Sequence, residues 1–271
     1  MSKIAGVAVV AAVVAALVSL LLAQPSKWNG GGGASIIGEE PVPDASAAVD
    51  LAERMVREAG AIWAQPSSDW ATVPSWLSGG VSTEARRIDG GDYAESGVLL
   101  TRASGVIRNA SADATIRHLV SPSGFAIIDP FSDPADFGKV IEAFAWRGNK
   151  RLEVGDARAD LPGFAPRVFS VLNAVDVDAR IFASKSILHS SKPGGSEFNT
   201  FKAQTPVDGS VRALNTFAVR TTPLGKDCVV DMVNFAHLGG RFPRAVTNLI
   251  NGNFLDGVFQ RLQKAMDASE A

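Results

Sequence analysis

The spacing of apolar residues changes character along the chain, and each change announces a different kind of element. Ile4 to Ala23 is a run of twenty residues without a charge, long enough to cross a bilayer as a helix. Residues 24–43 then hold four consecutive glycines between Asn29 and Ala34, followed by Glu39-Glu40-Pro41-Val42-Pro43. Glycine frees the backbone and proline stiffens it, so this stretch reads as a linker. After Asp44, a natural helix N-cap, Val49, Ala52, Val56, Ala59 and Trp63 recur at intervals of three and four. The pattern predicts an amphipathic helix that ends near Ala64, with Pro66 just beyond. Trp70, Val73 and Trp76 fall in a Ser/Pro-rich stretch and are expected to pack this helix onto the strands beyond it.

Strand-like pieces come next at Val81–Ile88, Gly97–Ile107 and Thr115–Val120. Asp133-Pro134-Ala135-Asp136 reads as a helix start, with Phe137, Val140, Ile141, Phe144 and Ala145 as its apolar face. Residues 147–180 show no firm period and read as strand plus loop around the apolar run Val168–Leu172. Beyond Arg180 the pattern sharpens. Ile181–Leu188 and Ser196–Ala203 read as strands about a turn at Pro193-Gly194-Gly195, and Asp208-Gly209 signals a hairpin. Val211, Ala213, Phe217 and Val219 alternate with Arg212, Thr216 and Arg220, and Cys228–Phe235 supplies a further strand after the turn at Pro223-Leu224-Gly225. Gly239-Gly240 breaks the sheet. Phe242-Pro243 opens a long helix striped by Val246, Leu249, Ile250, Phe254, Val258, Leu262 and Met266. The order is that of an α+β domain over 44–271, behind a hydrophobic segment at 1–23 and a linker at 24–43.

Composition narrows the function. Apolar residues make up 46% and charged residues 20% of the chain, enough for one sizeable core. A formal net charge of −2 gives nucleic acid no footprint to bind. The one cysteine, Cys228, lies in an apolar strand and reads as a small buried hydrophobe. Three histidines, His118, His189 and His237, stand in no metal-ligand or nucleophile pattern. The zinc-protease, nucleophile-elbow, Walker and dinucleotide signatures are all missing from the sequence. No catalytic residue, metal site or cofactor is therefore assigned, and a monomer is expected.

The head of the chain bears on location. A cleaved signal usually has a shorter apolar region, and Leu21 is a poor residue at the candidate cleavage site, so a retained anchor is the first reading and secretion the second. The amino terminus and Lys3 precede the segment and Lys27 follows it. This small excess puts the domain on the lumenal or outer side, where the triplet Asn109-Ala110-Ser111 could be glycosylated.

One group of residues resembles a known family. Val211-Arg212-Ala213 opens a strand, Asp231 to Phe235 lies on the next, and His237-Leu238-Gly239-Gly240-Arg241-Phe242-Pro243 leads into the last helix. This is similar to the START (StAR-related lipid transfer) family, whose V-R-A strand precedes an L-x-G-x-x-P turn, here Leu238, Gly240 and Pro243. The similarity lies mainly in residues 207–268. Trp146-Arg147 and Arg180-Ile181-Phe182 stand where the family often has Trp-Asp and Arg-Asp-Phe. A polar pocket position would fall near Ser186.

The resemblance implies a helix-grip fold, in which a curved antiparallel sheet encloses a tunnel and the C-terminal helix acts as lid. It also implies a lipid or sterol-like ligand and a membrane as partners. On that reading Phe182, Phe217, Val219, Val230, Met232 and Phe235 line the tunnel from the strands. Leu249, Ile250 and Phe254 line it from the lid, and Arg212 and His237 are candidates for the polar head. The function expected is binding, and in one form transfer, of a single lipid by a membrane-tethered or secreted protein. Two other readings stay open: a helix-grip enzyme of cyclase or hydrolase type, and a lipid sensor or scaffold that transfers nothing.

Overall fold

In a computed structural model of the protein, the described residues are 40–42, 44–73, 81–88, 96–128, 140–148, 150–159, 164–188, 210–239 and 242–270. The hydrophobic head, most of the linker, Trp76, the helix start at Asp133, the turn at Pro193, the strand at Ser196 and the hairpin signal at Asp208 lie outside them.

The first long element is α1 (Ala45–Trp63), and it begins as its sequence requires. The Asp44 carboxylate accepts the Ala47 N–H at 2.9 Å, so one orphan amide of the first turn is satisfied. Leu51, Ala52, Met55, Ala59 and Ile62 are buried along one face. Just ahead of α1, β1 (Glu40–Pro41) pairs in parallel with the end of β8 (Ile181–Leu188), and Val42 is buried in the core.

The strands β2 (Ala71–Val73), β3 (Ser82–Arg87), β4 (Leu99–Ile107), β5 (Val140–Ala145), β6 (Lys150–Ala159) and β7 (Arg167–Asp176) join β8, β10 (Leu214–Leu224) and β11 (Asp227–His237) in one sheet. Its order is β2-β3-β4-β11-β10-β8-β7-β6-β5, antiparallel throughout, with the short β9 (Val211–Arg212) added in parallel beside β7. Between β4 and β5 run α2 (Ala112–Leu119) and α3 (Pro122–Ile128), and α4 (Arg244–Glu270) closes the chain.

The sheet separates two cores. On one face α1 packs against Leu152, Val154, Leu172, Ala174, Ala183, Ile187, Ala218 and Val233. On the other face Ala103, Phe182, Phe217, Val219, Val230 and Met232 meet α2, α3 and α4. Each large apolar side chain buried in this way contributes about 1.5–3 kcal/mol.

Three expectations are corrected. Thr115–Leu119 belongs to helix α2, with Val120 as its C-cap, rather than to a strand: Ser111 caps the start by accepting the Ala114 N–H, and Ala112, Ile116 and Leu119 share the buried face. Asp113 in its first turn and Arg117 in its last complement the helix dipole. Val140–Ala145 is strand β5 rather than a helix face. Ala143 and Ala145 are exposed and Phe144 half-buried between them, the period of a strand, and the segment pairs with Arg151–Gly155 of β6. Residues 147–180 hold two full strands, β6 and β7, paired along their length and followed by a tight turn with Arg180 at φ 58°.

Candidate functional site beneath the C-terminal helix

The register of the strands sets out the helix-facing side of the sheet row by row. One row reads Ala103 on β4, Met232 on β11, Val219 on β10, Phe182 on β8 and Val175 on β7. From β4 to β7 it is apolar, and Leu255, Val258, Phe259 and Leu262 of α4 belong to the same buried cluster. The next row, two residues along each strand, reads Thr101, Asn234, Phe217, Ser184, Asn173 and Glu153. Phe217 divides two polar groups within it.

The first polar group fastens α4 to the sheet. Asn251 donates to the carbonyls of Ala236 at 3.0 Å and Leu99 at 3.4 Å and accepts from Asn234 Nδ2 at 3.2 Å. Thr101 Oγ1 donates to Asn234 O at 3.0 Å, and Asn248 accepts the Leu99 N–H at 3.0 Å and donates to Gly97 O at 3.1 Å. The helix accordingly packs chiefly on β3, β4 and β11.

The second polar group, Ser184, Asn173 and Glu153, lies on β8, β7 and β6, beyond the strands on which α4 chiefly packs. Ser184 is buried, Asn173 half-buried, and Glu153 accepts from Arg151 Nε at 2.9 Å. Arg151 also donates from Nη2 to Val120 O at 3.2 Å. In the following row Ser186 Oγ accepts the Asn215 N–H at 2.8 Å. Apolar residues flank this strip on both sides: Phe182 and Val175 toward one end of the sheet, Val171 and Phe169 toward the other. The strip offers neutral donors and acceptors and one charge-paired carboxylate, a set suited to holding a polar group by hydrogen bonds. Aromatic rings run beside it. Phe254 of α4 meets Phe217 edge-on at 6.1 Å between centroids, Phe217 lies 6.1 Å from Phe182, and Phe182 lies 5.7 Å from Phe125 of α3.

Phe182, Phe217, Val219, Val230 and Met232 all sit in the cluster beneath α4, and Phe254 packs against it. Ile250 joins a smaller cluster with Phe169, Val171, Ala213 and Leu238. Leu249 is half-buried and about 200° round the helix from Asn251, on the side turned from the sheet. Phe235 is corrected: three residues from Met232 on a strand of period two, it packs on the opposite face in the α1 core. His237 shares the parity of Phe235. Its Nδ1 accepts the Gly239 N–H at 3.2 Å, and burial pushes its pKa below the usual histidine value. Arg212 donates from Nη2 to Ile187 O at 2.8 Å. Neither joins the polar strip.

Cys228 is buried. Removal from water pushes its thiol pKa up, against a hydrogen bond with Thr115 Oγ1 at 3.2 Å. Among the described residues no cluster of His, Cys, Asp and Glu could hold a metal ion.

Glu153, Asn173 and Ser184 are absent from the residues that the sequence singles out. Their signal is strand parity, two residues on from Val171 and Phe182, and it is hidden while β6 and β7 read as irregular chain. A second Arg-x-Phe also stands upstream of the one at Arg180. Arg167-Val168-Phe169 opens β7 with a buried arginine, whereas Arg180 lies in a turn and pairs with Asp113 at 2.6 Å.

A curved antiparallel sheet with a long C-terminal helix across one face defines a helix-grip α+β protein. The fold is that of START domains. Human StAR-related lipid transfer protein 5 has a TM-score of 0.60 and 18% identity, with 84% of this chain and 100% of that chain covered. Human STARD10 has a TM-score of 0.51 and 15% identity, covering 87% of this chain and 86% of that one. A STAR-related lipid transfer protein from Xanthomonas axonopodis has a TM-score of 0.50 and 13% identity, covering 73% and 98%. No family model matches the chain, and no curated protein matches it in sequence.

Proposed function

We propose that the protein binds one lipid or sterol-like molecule between the sheet and α4. The apolar body lies against Phe182, Phe217, Val219 and Phe254, and the polar end meets Glu153, Asn173 and Ser184. The observation that carries this reading is the polar strip itself. Hydrogen-bonding side chains lie on the helix-facing side of β6, β7 and β8 with apolar residues on either side. A single amphipathic molecule needs that alternation, since each methylene taken from water is worth about 0.8 kcal/mol and a buried polar end needs partners. The fold shared with proteins named for lipid transfer supports the same reading.

The site of action in this proposal is a membrane surface. The uncharged segment Ile4–Ala23 would hold the domain there as an anchor. Among the described residues no helix is long and apolar enough to cross a membrane, so anchoring rests on that segment. An aromatic pair adds a contact point: Phe164, 46% exposed, lies tilted against half-buried Phe242, with ring centres 4.4 Å apart, beside the start of α4.

The test uses the full chain. It is incubated with a total lipid extract, repurified, and its bound lipids are identified by mass spectrometry. Transfer of the lipid found is then followed between donor and acceptor vesicles. One lipid class at about one molecule per chain is the expected result. A chain that emerges empty and accelerates no exchange refutes the proposal.

A further inference from the structure

Arg167 opens β7 and is only 3% exposed. Its Nε–H donates to Leu238 O at 2.7 Å, and Nη1 donates to Ala165 O. The guanidinium carbon lies 5.0 Å from the ring centre of Phe242. No described carboxylate faces it, and burial alone pushes its pKa below the usual arginine value. The contrast with other arginines is direct. Arg54, Arg102, Arg151, Arg180 and Arg220 each pair with a carboxylate, and all five are less buried than Arg167.

A buried charge without a counter-charge is costly, and neutral carbonyls offset only part of that cost. A guanidinium carries five N–H donors. The two carbonyls leave both donors on Nη2 and one on Nη1 without an acceptor among the described residues. One N–H of Nη2 and one of Nη1 can point side by side along the end of the guanidinium, the geometry that grips two oxygens of a phosphate or carboxylate. The surrounding field has the same sign. Phe242, stacked on the guanidinium, leads into the N-terminus of the long helix α4, whose first turn has no acidic residue. Exposed Phe164 against Phe242 brings the place within reach of an interface.

We propose that Arg167 forms an anion site at the start of α4 that takes a phosphate group, from a phospholipid head or from free phosphate. The Nη1–Nη2 edge donates to two phosphate oxygens while Nε and Nη1 keep their carbonyls. The site lies six residues along β7 from Asn173, about 20 Å at strand spacing, and so is separate from the polar strip. It does not depend on the lipid-binding reading, because inorganic phosphate alone can fill it.

The experiment compares the full chain with Arg167→Lys and Arg167→Met. Thermal unfolding is followed in sodium phosphate and in sodium chloride at equal ionic strength. Binding is measured to vesicles of phosphatidylcholine and to phosphate-free vesicles of digalactosyldiacylglycerol. Phosphate is expected to raise the midpoint of the natural chain by about 2–4 °C. The rise falls by half or more in Arg167→Lys, which loses the fork, and vanishes in Arg167→Met. Preference for phosphatidylcholine vesicles that Arg167→Met loses points to a lipid head as the source. A response to free phosphate without that preference points to the free anion. If Arg167→Met does not fold, the natural chain and Arg167→Lys decide the matter. The proposal is overturned if the natural chain responds to neither phosphate nor phosphatidylcholine, or if either folded variant responds as strongly as the natural chain. Arg167 then serves only to tie Ala165 to Leu238.

Discussion

His237 ends β11 half-buried, and its removal from water holds the imidazole neutral below the usual histidine pKa, although a hydrogen bond with its own backbone works against the shift. Just below about pH 6.5 the unfolded chain takes up a proton that the native ring refuses. The unfolded state then binds more protons, so stability falls as pH drops through that window, by at most about 1.4 kcal/mol per pH unit from this one group. Above it His237 contributes no pH dependence. His237→Gln should therefore flatten the acid side of the stability profile, measured as urea midpoints between pH 7 and pH 5. Identical slopes would remove the histidine from the account. Asn173 makes the corresponding case for the ligand. Asn173→Ala removes an amide, with two N–H donors and a carbonyl acceptor, from the strip, and lipid occupancy should fall about three- to tenfold while stability moves by less than about 1 kcal/mol. Unchanged occupancy by mass spectrometry would place the polar end elsewhere. Residue by residue, the apolar side of the candidate site is what strand alternation picks out in the sequence, and its polar side is not. Phe182, Phe217 and Met232 follow from strand alternation, while Phe235 is drawn in with them because β11 is buried on both faces and its apolar run hides its parity.

The amide network of Asn234, Asn248 and Asn251 makes α4 a fixed wall over β4 and β11. Asn251→Leu keeps the shape but removes the donor to two half-buried carbonyls and strands the Asn234 amide in the interior. It should cost about 3 kcal/mol, read as a lower denaturant midpoint with an unchanged slope. A loss under about 1 kcal/mol would mean that the network is weakly coupled to the fold. The same distinction between local signal and tertiary demand decides which elements the sequence shows. Helix α1 is legible because its cap and its spacing of three and four agree. Helix α2 is not: Thr115, Ile116 and Val120 are β-branched, and the helix depends on Ser111, whose oxygens accept from both Ala114 N–H and the Thr115 hydroxyl. Strand β5 carries Val140, Ile141 and Phe144 at spacings that also fit a helix, and only pairing with β6 settles it. Strands β6 and β7 escape notice because one face meets α1 with Leu152, Val154, Leu172 and Ala174 while the other carries the polar strip, which leaves neither a clean alternation nor a continuous apolar run.

At the scale of the whole molecule, α1 covers one face of the sheet and α2, α3 and α4 the other, so that β1 and α1 lie on the side away from the candidate site. Lys185 faces α1 between Ser184 and Ser186, and its side chain is 1% exposed. Burial pushes its pKa down, and Glu40 of β1, which also pairs with Arg54, opposes that shift. Strand β1 and buried Val42 thus tie the residues that precede α1 to β8, the strand that also supplies Ser184 to the strip. A pull on Glu40–Val42 is therefore borne by the sheet as well as by the end of α1. Two chains test its weight, one starting at residue 38 and one at residue 44. The shorter chain loses the β1 pairing, the Val42 burial and the Glu40 carboxylate, and should be less stable by about 3 kcal/mol. Glu40→Gln in the longer chain keeps β1 and Val42 and should account for about 2 kcal/mol of that loss. Urea midpoints decide between the outcomes: equal midpoints for the two chains would make β1 an ornament, whereas a full loss in the shorter chain with none in Glu40→Gln would assign the effect to Val42 and the strand pairing and leave the buried lysine to its other contacts.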